Sequence, residues 1–205
     1  MIRFFSLKLN NTIIILVFLL FIKGISHSQV IDENTSVKQE NPLNNLSFKE
    51  RLYVGGNVSF NIYSGWILLD ASPFLGYKVT EKYSAGFGIK YIYRGFPEQN
   101  INQSYYGGNI FSRYQFTKNF IAHSEYELLR VYDIKPISST FGERTLASMF
   151  YIGGAYSTSI GGTATVQIMM LYDLINDYNS PYRSYYIFGA SGPPILYRVG
   201  FSVGF

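Results

Sequence analysis

The chain has 205 residues, 47% hydrophobic and 18% aromatic but only 15% charged, with 19 Gly, 19 Tyr, 17 Phe, one Trp and no Cys. This excludes a disordered chain, which is poor in aromatics and rich in charge, and a disulfide scaffold or Cys-ligated metal centre. A charged fraction well below the ~25% of soluble domains also argues against a freely soluble surface, and the net charge of +4 suggests an anionic partner only if it survives removal of processed segments.

It does not survive. Arg3 and Lys8 precede an apolar run from Thr12 to Ile22, which Lys23 and Gly24 end before Ser26-His27-Ser28. This is the order of a secretory signal peptide, with cleavage expected between Ser28 and Gln29. The run is too short for a spanning helix, which needs about 20 apolar residues, and position 29 is not the Cys of a lipid-anchored N-terminus. Residues 1–28 hold three cations and no anion, so the remainder carries 14 basic and 13 acidic residues. Nucleic-acid binding thereby loses its compositional support. Residues 29–50 are polar and aperiodic and read as a loosely held periplasmic tail; residues 51–205, which contain every tyrosine, read as the folded domain.

From Leu52 the chain alternates with the period of two that marks strands. Leu52 to Ile62 sets Leu52, Val54, Val58, Phe60 and Ile62 opposite Tyr53, Asn57, Ser59 and Asn61. A second strand runs from about Leu68 to Val79, with a bulge or local break expected at Pro73, which has no N–H for the ladder. The third is Tyr83 to Tyr93, the fourth about Tyr105 to Phe116, with Asn109, Arg113 and Gln115 on its polar side. The fifth, Phe120 to Val131, carries His123, Glu125 and Glu127 on one face. The sixth spans about Thr145 to Tyr156, the seventh Thr163 to Leu174, and the eighth Ile195 to Phe205. The connections near 79–82, 117–119 and 157–162 are short. Those near 94–104, 132–144 and 175–194 are long. The expected fold is therefore all-β: a closed eight-stranded antiparallel transmembrane β-barrel with short periplasmic turns and longer extracellular loops. A soluble barrel is the alternative, but polar faces made of Gly, Ser, Asn and Thr suit a narrow lumen better than a water-exposed surface.

The last strand alternates Tyr197, Val199, Phe201, Val203 and Phe205 with Leu196, Arg198, Gly200, Ser202 and Gly204. It resembles the C-terminal assembly signal of bacterial outer-membrane barrels. Together with Ala122-His123-Ser124-Glu125-Tyr126-Glu127-Leu128-Leu129, Leu171-Tyr172-Asp173-Leu174-Ile175-Asn176-Asp177 and Asn179-Ser180-Pro181-Tyr182, it makes residues 52–205 similar to small OmpA/OmpX-type outer-membrane barrels, and in particular to short barrel proteins of Bacteroidota. The resemblance implies outer-membrane location, contact with outer-membrane lipids and passage through the barrel assembly machinery. It implies no activity.

His123 with Glu125 and Glu127 at alternate positions could bind a metal or run acid–base chemistry. Lumen-side Lys90, Arg113 and Arg198 favour instead an interior charge network of Lys90, Arg113, His123, Glu125, Glu127 and Arg198. A Ser–His–acid hydrolase is not expected, because His123 and Ser124 are neighbours on a strand and point to opposite faces. No Gly-x-Ser-x-Gly elbow or phosphate-binding glycine loop is present, so no catalytic residue, metal or cofactor is assigned. Asp173, Asn176 and Asp177 read as a turn-forming cluster. The loops at 132–144 and 175–194 are the expected contact surface for a protein partner. The expected function is structural or partner-binding, as an accessory subunit of a larger envelope complex; a lipid-modifying barrel enzyme or a narrow pore is the alternative.

Overall fold

The computed structural model describes residues 46–63, 66–132, 143–183 and 192–204, all within the unit Pro42–Phe205. The expected signal segment with Ser28 and Gln29, most of the polar tail, and Phe205 lie outside the described residues.

Eight strands form where the alternation predicts them: β1 Leu52–Tyr63, β2 Trp66–Lys78, β3 Tyr83–Phe96, β4 Ile101–Gln115, β5 Phe120–Tyr132, β6 Arg144–Gly161, β7 Ala164–Asp173 and β8 Ile195–Gly204. Each pairs antiparallel with its sequence neighbour. β8 returns to β1, from Tyr53↔Gly204 to Val58↔Val199, so the sheet closes in the order β1 to β8. Closure pairs both edges of the sheet, which an open sheet cannot do.

Two short turns share a device. In the β2–β3 connection the Tyr83 amide donates to Thr80 Oγ1 (2.9 Å), and in the β4–β5 connection the Phe120 amide donates to Thr117 Oγ1 (3.1 Å). The β6–β7 turn is tighter and rests on Gly161 and Gly162, at φ 134° and 54°, conformations in which a Cβ would be strained.

One strand feature follows the expectation and two differ from it. The break expected at Pro73 is a local one without a bulge: β2 keeps one register along β1 and β3, and only the pairing of Ser72 and Pro73 to β3 lapses. The long loop expected at 94–104 is mostly strand. The β3–β4 ladder continues to Phe96↔Ile101 and turns through a 3-10 segment at Pro97–Gln99, with Asn100 left-handed at φ 52°. Its Asn and Gln content reads as loop, although the alternation persists through it. β6 likewise runs on to Gly161, with a register shift between Ser159 and Gly161. Of the four connections at that end of the barrel, those between β5 and β6 and between β7 and β8 are therefore the long ones.

The side chains sort by parity. Phe87, Ile89, Ile168 and Met170 point outward and are 59%, 67%, 58% and 60% exposed, whereas Glu127 and Arg198 point inward and are 0% and 1% exposed. The packed core is thus the lumen, and the large apolar surface is the outside wall.

Candidate functional site

The lumen is filled in three layers. At the short-turn end, Tyr53, Phe74 and Phe111 pack edge to face, with ring centroids 6.1 Å and 5.2 Å apart. The rings fit because inward positions beside them are glycine: a Cβ on Gly55 would overlap Phe74, and one on Gly86 would overlap Phe111. The Arg113 guanidinium lies 4.6 Å and 4.5 Å from the Phe74 and Phe111 ring centroids, a cation–π arrangement that offsets part of its desolvation.

The middle layer carries the charge. Arg198 Nη1 donates to both Glu125 oxygens (3.0 and 3.1 Å), and its Nη2 donates to Glu127 Oε2 (3.1 Å). Lys90 donates to Glu127 Oε2 at 2.8 Å and lies 3.8 Å from Asp70. Asn109 Nδ2 donates to Glu125 Oε1 (2.7 Å), and Ser72 Oγ to Asp70 Oδ1 (3.1 Å). Lys90, Arg113 and Arg198 thus face Asp70, Glu125 and Glu127, three cations against three carboxylates, all buried.

Arg113 reaches this layer through a ring, not directly. Its Nε–H donates to His123 Nδ1 (3.3 Å), and His123 Nε2 lies 2.9 Å from Glu125 Oε2. An Nδ1 that accepts from a guanidinium carries no proton, so the proton sits on Nε2 and is donated to Glu125. Both nitrogens of His123 are therefore engaged by protein groups, and Ser124 occupies the opposite-face parity of β5. Among the described residues no group of three or more His, Asp or Glu side chains could hold a metal ion.

The third layer is apolar, built on Leu68, Ile92, Leu129, Met149, Leu171 and Leu196, all buried. Sequence alternation misses it, because Ile92 stands between Tyr91 and Tyr93 and Leu171 between Met170 and Tyr172, where both faces are hydrophobic. Two members of the charge layer are also unanticipated. Asp70 shares inward parity with Ser72 and Phe74, which alternation could have shown. Tyr182 comes from the β7–β8 connection, which carries no periodicity. Its hydroxyl accepts from Lys90 (2.9 Å) and lies 3.0 Å from Glu127 Oε1 and 3.2 Å from Asp70 Oδ2, with one proton to give between them. The connection is bent inward by an Asx turn at Asp177, whose Oδ1 accepts from the Asn179 amide (2.9 Å), while Oδ2 takes the Ser148 amide of β6 (3.1 Å).

On the outside wall Tyr197, Val199, Phe201 and Val203 of β8 are 52%, 47%, 51% and 39% exposed; Phe205, the last member of the expected assembly signal, is outside the described residues.

No family model and no curated protein matches the chain. Among solved structures, the chain is similar to the crystal structure of the N-terminal β-barrel domain of Pseudomonas aeruginosa OprF, at 10% sequence identity and a TM-score of 0.43, over 77% of this chain and 98% of that one.

Proposed function

We propose that the chain is an outer-membrane β-barrel without catalytic activity, sealed by its own side chains. On this reading it serves the bacterial envelope as a structural element and as an accessory subunit of a larger membrane complex. The observation that carries the location is the inverted polarity: charges are buried in the lumen while Phe87, Ile89, Ile168 and Met170 lie exposed on the wall. In water such a wall is an aggregation surface. In lipid it is the favoured one, and a closed barrel is a spanning fold that leaves no backbone group unpaired. The signal peptide expected over residues 1–28 and the resemblance of the last strand to an outer-membrane assembly signal support the same location.

The three filled layers support a plug in place of a pore, and the engaged nitrogens of His123 favour structure over catalysis. The connections 132–144 and 175–194 are the proposed partner surface. Fractionation of cells expressing the chain tests the location, with the protein expected in the outer membrane and these connections open to added protease. Planar bilayers test the plug: reconstituted protein should give no steady conductance, and a reproducible unitary current would refute a sealed lumen. His123→Ala should leave lipid A and phospholipid composition unaltered; an altered composition would favour the enzyme.

A further inference from the structure

By alternation, the charged residues of the eight strands face the lumen, with two exceptions: Arg130 of β5 and Arg144 of β6. Both are cations, and both lie at the end of the barrel that carries the long connections. Arg130 is registered between Tyr106 of β4 and Leu146 of β6, while Arg144 is registered with Tyr132.

Arg130 closes one end of a groove of 590 Å³ in the outside wall. The groove is floored by Gly108 and walled by Tyr106, Ile110, Tyr126 and Leu128. It exists because Gly108 leaves an outward position empty where its strand neighbours Tyr106 and Ile110 project. At the same end the Arg144 guanidinium lies 5.1 Å from the Tyr106 ring centroid and 4.7 Å from that of Tyr132. Its Nη2 donates to the Tyr132 hydroxyl (3.1 Å), whereas its Nη1 is buried with no hydrogen-bond partner. Among the described residues no carboxylate lies within ion-pair distance of either guanidinium.

The height of Arg130 matters. It stands ten residues along β5 from Phe120, roughly 33 Å of strand and about 25 Å along an axis tilted by ~40°, the height of the apolar band of such barrels. Two guanidiniums with no carboxylate partner among the described residues, above an apolar trough at the lipid boundary, complement an anionic headgroup above an acyl chain. Guanidinium suits phosphate oxygens through paired N–H donors.

We infer that this groove is a binding site for a membrane lipid with an anionic phosphate headgroup, one acyl chain lying over Gly108 and the phosphate held by Arg130 and Arg144. The site rests on the outer-membrane reading above, since in water the trough would have no lipid to hold. Its occupant is a lipid and not free phosphate, because the cavity below the cations is apolar.

The test uses the full barrel inserted into vesicles of equal parts phosphatidylcholine and phosphatidylglycerol, then extracted in mild detergent and weighed by native mass spectrometry. Wild type should retain one phosphatidylglycerol in preference to phosphatidylcholine. Arg130→Gln, which breaks no ion pair among the described residues, should lower that retention about tenfold, and Arg130→Gln with Arg144→Gln should abolish it. Gly108→Leu, which fills the trough but leaves both cations, should also lower it. Heat-modifiable mobility on gels checks that each variant is folded. Equal retention of the two lipids by wild type, or undiminished retention by folded Arg130→Gln, overturns the site while leaving the membrane reading intact. Failure of wild type to insert into vesicles overturns that reading and the site with it.

Discussion

Glu125 has the most crowded carboxylate in the lumen, taking Arg198, His123 and Asn109 at 2.7 to 3.1 Å. Removing it leaves Arg198 with Glu127 alone and strands the His123 Nε2–H. Glu125→Ala should therefore lower the unfolding free energy by about 3–5 kcal/mol, the usual loss when one partner of a buried ion pair is deleted. The midpoint of heat-modified gel mobility or of urea unfolding in vesicles reads this directly, and an unchanged midpoint would remove the network from the account of stability. Tyr182→Phe is milder. It takes one acceptor from Lys90 and one donor from the Asp70–Glu127 pair, a loss of roughly 1–3 kcal/mol for buried groups left unpaired. If Tyr182 were a surface tyrosine, the same substitution would change nothing measurable in urea.

The same residues show what alternation reveals. It places Lys90, Arg113, His123, Glu125, Glu127 and Arg198 on one side of their strands, because parity is a local property. It does not show that Arg198 takes both glutamates while Arg113 stacks on Phe74 and Phe111, because partners across a barrel depend on the stagger of strands far apart in sequence. The Tyr182 contact was out of reach for a simpler reason: an irregular segment has no period to read.

At the level of elements, the β7–β8 connection is the least ordinary part of the molecule, since it is at once a loop and a piece of the core. Exchanging residues 174–194 for a short turn removes Tyr182 and the Asp177–Ser148 bond together. The expected result is poor folding, with a barrel that unfolds at lower urea than wild type; normal stability would instead mark the segment as a pure recognition loop. The wall offers a complementary experiment. Ile89 lies mid-strand and 67% exposed, and Ile160 lies beside the β6–β7 turn, 65% exposed. Ile89→Arg should cost ~2–4 kcal/mol in lipid and Ile160→Arg about 0–1, because the penalty for a lipid-facing cation falls from midplane to interface. Equal effects, read as unfolding midpoints in vesicles, would place the apolar band elsewhere. Here the sequence misleads in one direction only. The polar stretch from Glu98 to Ser104 reads as a loop, yet Asn102, Gln103 and Ser104 keep the ladder because their backbones pair irrespective of side-chain polarity.

For the whole molecule, a modest charged fraction conceals a steep division. By alternation the charged strand residues face the lumen, apart from Arg130 and Arg144, and within it Lys90, Arg113 and Arg198 meet Asp70, Glu125 and Glu127. The fold was readable because the number of alternating segments, the short turns and the closure all point to one architecture. The filling of the upper lumen was not, because a strand hydrophobic on both sides gives no parity to follow. A barrel filled this way also has an order of completion. Arg198 lies on β8 and Tyr182 on the segment just before it, whereas Asp70, Glu125 and Glu127 lie on strands made earlier. A chain lacking its last fifty or so residues would present three acidic side chains to Lys90 and Arg113 alone, inside a sheet with two bare edges. Neutralising the interior and joining the edges thus happen in one step at the end of the chain, so truncated products are disfavoured twice and should be the preferred substrates of envelope proteases.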